Sequence, residues 1–193
     1  DSIALGRAPR LDSSIETALL LAALADRAGD KVHVLALDSQ VRARVSGVRG
    51  AKVIETLARA FMDISPRLDV TDWSQAVGAI EQTVHHSAFV VVITKIPPAG
   101  MDTDFTDSLA RLCERHTVLV ASASDPDELR ARQGRDNAEE VFLAASAALA
   151  ERSDDAGASD VRMTGALTVR ASAGLLPART ADRYIELKKS GRL

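Results

Sequence analysis

Ala88-Phe89-Val90-Val91-Val92-Ile93 reads as the most apolar strand of the chain, closed by Lys95 and by Pro97-Pro98. It is too short for a helix and lacks the polar–apolar alternation of a half-exposed strand. It predicts a central strand covered on both faces, the kind found in parallel sheets flanked by helices. Downstream, Asp104 to His116 reads as an amphipathic helix and Thr117-Val118-Leu119-Val120-Ala121 as a second buried strand. Upstream, a helix from Asp72 to His86 carries Val77, Ile80 and Val84 as its apolar stripe. Before it, residues 51–64 place Val53, Ile54, Leu57, Ala58, Phe61 and Met62 on one face, and Pro66 ends that helix.

Towards the N-terminus, Lys31 to Leu37 reads as a strand. Asp38-Ser39-Gln40 forms a tight turn into Val41-Arg42-Ala43-Arg44-Val45, whose alternation marks an exposed edge strand. Ser46-Gly47 is expected to be a turn. The first helix is expected from Ser13 to Ala28, capped by Asp12 or Ser13 and stopped at Gly29. Towards the C-terminus come a short helix (127–133), an alanine-rich helix (137–152) and an interruption from Ser153 to Asp160 read as a loop or poor helical turn. Leu167 to Arg170 is an edge-like strand, and Pro177 to Lys189 a final helix. Strands alternating with helices predict an α/β fold: doubly wound, with a mainly parallel sheet and an antiparallel edge hairpin. Residues 1–193 are read as a single domain, and the start at Asp1 without Met as a fragment lacking upstream residues.

Composition narrows the function. Aromatic residues are 3% of the chain, so the core is aliphatic, and the formal net charge of −3 provides no field for gathering phosphate backbones. Cys113 is the one cysteine, which excludes an internal disulfide and fits a reducing, cytoplasmic setting. The apolar run Ala18 to Ala25 is too short to span a bilayer. Neither a Gly-x-Gly-x-x-Gly nor a Walker A pattern occurs, nor His-Glu-x-x-His nor Gly-x-Ser-x-Gly, so the usual nucleotide and hydrolase routes have no sequence support.

Several side chains carry two readings. His85-His86 point about 100° apart on a helix, which suits a solvated helix end better than one metal site. His33 and His116 are expected to be structural, and Cys113 a small core residue. Ser122-Ala123-Ser124-Asp125 follows a buried strand, where open α/β sheets bind ligands, or caps the helix beginning at Pro126. Asp72 is an N-cap and also a candidate for the sheet-top surface. Trp73, the one tryptophan, either anchors a partner or pins its helix.

An ordered set of segments carries a family resemblance. These are Pro9-Arg10-Leu11-Asp12, the run Ala22 to Val32, Val41 to Val45, Val70-Thr71-Asp72-Trp73, Arg115 to Ser122, and the tail Tyr184 to Leu193. In this order the chain resembles von Willebrand factor A-like (Rossmann-like) domains, and more narrowly the bacterial domain-of-unknown-function fifty-eight family, often encoded beside MoxR-type AAA+ ATPases. The resemblance implies an accessory protein-binding domain in such an ATPase system, cytoplasmic, with any membrane association supplied by residues outside this chain. In A-like domains an Asp-x-Ser-x-Ser loop, a threonine and an aspartate hold a divalent cation. Here Asp1 aligns with the first aspartate and Thr71 with the threonine. Ile3 and Leu5 stand at the serine positions, and Thr94-Lys95 stands where an acidic ligand belongs. The implied Mg²⁺ site is therefore degenerate, since Mg²⁺ requires hard oxygen ligands. The expected partner surface comprises Thr71, Asp72, Trp73, Thr94, Lys95, Ser122 and Ser124. A small-molecule enzyme on a Rossmann-like scaffold is the alternative; self-assembly through the Val41–Val45 edge is a third reading.

Overall fold

A computed structural model describes residues 9–65, 70–124 and 138–193. They form two compact units, one holding the N-terminal half with the C-terminal helix, the other residues 87–176. Residues 2–5, expected to supply a strand, and the expected short helix 127–133 lie outside the described residues.

In the first unit, helix α1 (Pro9–Arg27) leads into strands β1 (Val32–Leu37) and β2 (Val41–Val48). It begins at Pro9 and not at Ser13. Proline suits a first helical turn because its missing N–H has no intrahelical partner there, and Asp12 then sits in the turn where an acid favours the helix dipole. The helix closes as expected. Gly29 takes φ +80 and donates to Asp26 O at 2.9 Å, while Asp30 N–H donates to Ala25 O at 2.9 Å. β1 and β2 pair antiparallel across the tight turn, where Asp38 Oδ1 accepts the Gln40 N–H at 2.9 Å.

Ser46-Gly47 is not a turn. β2 continues to Val48 through an irregularity in its register, with Gly47 at φ +66. A bulge inserts an extra residue without ending the strand, and a left-handed residue there favours glycine. His33 Nδ1 accepts the Gly47 N–H at 3.2 Å and holds the bulge, so this histidine has a structural task.

A short 3-10 turn (Gly50–Lys52) precedes helix α2 (Val53–Phe61). Val53, Leu57 and Phe61 are buried, whereas Ile54, Ala58 and Met62 are exposed, a narrower stripe than the sequence suggested. With Ala22, Val32 and Val45 they form one core, joined by Ile15, Leu19 and Val34. Helix α3 (Trp73–Thr83) buries Ala76, Val77 and Ala79. It packs against β1.

The second unit holds strands β3 (Phe89–Ile93), β4 (Thr117–Ser124) and β5 (Leu167–Ser172), helix α4 (Thr103–Cys113) and helix α5 (Ala138–Met163). The three strands are parallel in the order β3-β4-β5. Among the described residues β4, whose residues 118–122 are buried, lies between the other two strands, and the side chains of Phe89–Ile93 are half-buried. Among the described residues the hairpin is a two-stranded sheet of its own and is not paired to the parallel strands.

The Ser153–Asp160 segment does not interrupt the chain; α5 runs through it. Polar composition misled because the partners are remote in sequence. Arg170 on β5 binds Asp154 (3.3 Å) and Asp155, and Gly157 and Ala158 are buried. The final helix α6 (Leu176–Lys189) is tied to the start of β1. There Tyr184 donates its phenol to Asp30 Oδ2 at 3.0 Å, and Lys188 Nζ lies 2.6 Å from the same oxygen.

Candidate functional site

β3 ends at Ile93, and parallel register sets it beside Ala121 of β4. The ladder continues one step further, the Thr94 N–H donating to Ala121 O at 3.0 Å. The chain then leaves the sheet as a loop from Lys95 to Asp102. Its sequence explains why it cannot continue as a strand: Pro97 and Pro98 lack the donor that a ladder requires.

Four contacts fix this loop. Ser122 Oγ accepts the Ile96 N–H at 3.3 Å, and Ile96 is buried. Pro97 O lies so near Gly157 that a Cβ there would meet it at 2.2 Å. Met101 N–H donates to Pro98 O at 3.1 Å, closing a reverse turn with Gly100 at φ +69. The Gly100 N–H donates to Asp160 Oδ2 at 3.0 Å. Asp102 ends the loop by capping α4, accepting the Phe105 N–H at 2.9 Å. Held in this way, the loop exposes Lys95, Pro98, Ala99 and Met101, the last 76% accessible.

The residues expected at the partner surface divide between the units. Thr94, Lys95, Ser122 and Ser124 gather at the C-terminal end of the parallel strands. Lys95 is exposed, Thr94 and Ser124 half-buried, and Ser124 sits opposite Ser172 of β5. Ser122 is buried and committed to the loop, so it shapes the surface from beneath and is not itself a contact point. Thr71, Asp72 and Trp73 belong to the other unit, where the Asp72 N–H donates to Asp38 O at 3.2 Å. Asp72 is the N-cap of α3. Its carboxylate accepts the Gln75 N–H at 2.9 Å and the Ser74 hydroxyl at 2.8 Å, and these bonds hold its pKa below the ordinary value. Thr71 and Trp73 are half-buried. Asp1 and Asp125 lie outside the described residues.

Several described polar groups at this end of the second unit are thus committed to structure. Besides Ser122, Asp102 and Asp160, the paired Asp154 and Asp155 face Arg170, which lies opposite Ser122 in the strand register. The sequence reading overlooked Met101, Gly157 and Asp160. A Pro-Pro-Ala-Gly-Met run after a buried strand was the available signal for a rigid, apolar-tipped loop; nothing local in Gly157 or Asp160 announces their partners.

Of the remaining titratable candidates, Cys113 and His116 lie at least partly inside the second unit. Burial, opposed by a hydrogen bond with Thr164, raises the pKa of the half-buried Cys113 thiol, which opposes nucleophile use at neutral pH. His116 is buried, its N–H donating to Leu112 O at 2.9 Å. His85 and His86 are exposed beyond the end of α3. Among the described residues no helix is long and apolar enough to cross a membrane.

A family model described as Protein of unknown function DUF58 matches residues 5–141. No curated protein and no solved structure matches the chain. With well over half of its length inside that match, the chain belongs to the family of proteins of unknown function DUF58.

Proposed function

We propose that the chain is an accessory domain that docks another protein through the loop at the C-terminal end of its parallel strands. The observation that carries this reading is the 94–102 loop, fixed from beneath by Ser122, Gly157 and Asp160 while it presents Lys95, Pro98 and Met101 outward. A surface that is already ordered loses little conformational entropy on binding, and a few exposed apolar anchors on it carry most of the affinity. The engagement of nearby carboxylates and hydroxyls in caps and ion pairs supports docking over chemistry.

The partner that the family resemblance favours is a MoxR-type AAA+ ATPase, and the scaffold is a von Willebrand factor A-like fold with a degenerate metal-ion-dependent adhesion site. The antiparallel hairpin and the parallel strands connected through helices support that scaffold. Ile3, Leu5 and Lys95 at positions where a Mg²⁺ site wants oxygen ligands support the degeneracy. Contact with the partner then runs directly between side chains without a bridging cation.

The test is binding of the purified chain to a purified MoxR-type ATPase, with nucleotide present, by biolayer interferometry. Lys95→Glu is expected to weaken the complex by at least about tenfold, or about 1.4 kcal/mol. Wild-type chain that fails to bind the ATPase under low-salt conditions removes that partner from the proposal.

A further inference from the structure

From Ser39 to Ile54 the sequence carries Arg42, Arg44, Arg49 and Lys52 and neither Asp nor Glu, within a chain of formal net charge −3. The fold lays this stretch out as β2 and the 3-10 turn after it, with Arg44, Arg49 and Lys52 exposed and the Arg42 side chain half-buried. Arg42 leans towards Asp38 at 3.5 Å. Arg44, Arg49 and Lys52 form no ion pair among the described residues. Of the neighbouring acids, Asp26 meets the ribbon at its backbone, accepting the Gly50 N–H, and Glu55 pairs with Arg59 at 2.9 Å. Among the described residues β2 is paired on one side only, to β1.

We propose that the outer edge of β2 with its basic ribbon docks an acidic polypeptide segment in extended conformation. β2 and the 94–102 loop belong to different units. A strand edge leaves backbone N–H and C=O groups open to an added strand, and guanidinium forks match carboxylates in a way that ammonium groups do not. Carboxylates on alternate residues of an extended chain recur about every 6–7 Å, the spacing of side chains two apart on a strand such as Arg42 and Arg44. A second copy of the same edge is disfavoured, because it sets these cations against their equals. A nucleic acid has less to bind: residues 39–54 contain no aromatic side chain on which a base stacks. A bilayer surface uses charge but not the open strand edge.

The test is fluorescence anisotropy of the full chain with labelled ten-residue peptides alternating Val with Glu or Val with Lys. Oligothymidylate and phosphatidylserine vesicles are the competing probes. The Val-Glu peptide is expected to bind, weakening by about tenfold between about 50 and 250 mM salt as screening sets in. The Val-Lys peptide is expected not to bind. Arg44→Glu with Arg49→Glu should abolish binding of the acidic peptide. Arg44→Gln with Arg49→Gln, which keeps the stems and adds no repulsion, should weaken it by at least about tenfold. Circular dichroism confirms that each variant is folded. The proposal is overturned by an acidic peptide that does not bind, by equal binding of both peptides, by folded variants that bind as wild type, or by binding confined to oligonucleotide or vesicle.

Discussion

Gly157→Ala adds one methyl group and should destabilise the protein, although the site is inside a helix where alanine ordinarily helps. The added Cβ would meet Pro97 O at 2.2 Å, with Ile96 Cγ2 and Pro97 C both at 3.3 Å. The nearest obstacle is a backbone carbonyl whose movement is restricted, because Ser122 holds Ile96 just before it and Asp160 holds Gly100 three residues after it. Replacing Gly by Ala in a helix interior gains about 0.8–1.0 kcal/mol. Overpacking against a fixed neighbour costs about 1–3 kcal/mol, and a contact this close belongs at the upper end. The net expectation is a loss of about 1–2 kcal/mol, or roughly 2–8 °C in Tm for a chain of this length.

Gly78, in α3, supplies the control, since a Cβ there meets nothing within 4 Å. Gly78→Ala should stabilise by about 0.4–1 kcal/mol. Thermal and urea unfolding followed by circular dichroism measure both, with Trp73 fluorescence reporting on the unit that holds Gly78. Opposite signs from one chemical change would support the tight seat of the loop. Equal stabilisation by both substitutions would refute it, because Gly157 would then not confine Pro97.

Three further outcomes follow from the same contacts. Burial first and Lys31 second lower the His33 pKa below 6.5, so the folded state takes up a proton less readily than the unfolded chain. The stability this gives is full above pH 6.5 and is lost as pH falls through the lower folded-state value. His33→Phe should flatten that slope in urea titrations from neutral to mildly acidic pH, and an unchanged slope contradicts the role of His33. Burial, with the hydrogen bond to Asp30 and its charge, pushes the lone tyrosine, Tyr184, up to about 12. Absorbance titration should therefore show ionisation moving down in Asp30→Asn while staying above the ordinary value of 10.0, since burial persists. Calorimetric titration with Mg²⁺ should give no saturable heat. Saturable binding abolished by Thr71→Ala would instead mean that the adhesion-type site functions.

Much of the fold was legible because local signals agree with it. Gly29 stops α1 by the conformation that glycine permits, and Asp72 caps the helix it precedes. The parallel strands announce themselves through apolar runs bounded by turns. What the sequence concealed depends on remote partners. Asp154 and Asp155 look like loop residues until Arg170, on a following strand, neutralises them and lets α5 continue. Gly47 looks like a turn until His33, on the preceding strand, receives its N–H and keeps the hairpin paired. The site was half legible for the same reason. Lys95 and Thr94 stand at a predictable strand end, but the burial of Ser122 and the exposure of Met101 follow from contacts with Ile96, Gly157 and Asp160 that no local pattern encodes.

If the 94–102 loop docks a partner, two exposed methionines should differ sharply in their effect on binding. Met101, on the loop, is 76% accessible, and Met163, at the end of α5, is 83% accessible. Affinity for a MoxR-type ATPase would be measured by calorimetry for wild type, Met101→Asp and Met163→Asp. Met101→Asp is expected to weaken binding by at least about tenfold, as loss of an apolar anchor does, while Met163→Asp leaves it within about twofold. Equal affinity for both variants, or a loss confined to Met163→Asp, would contradict it.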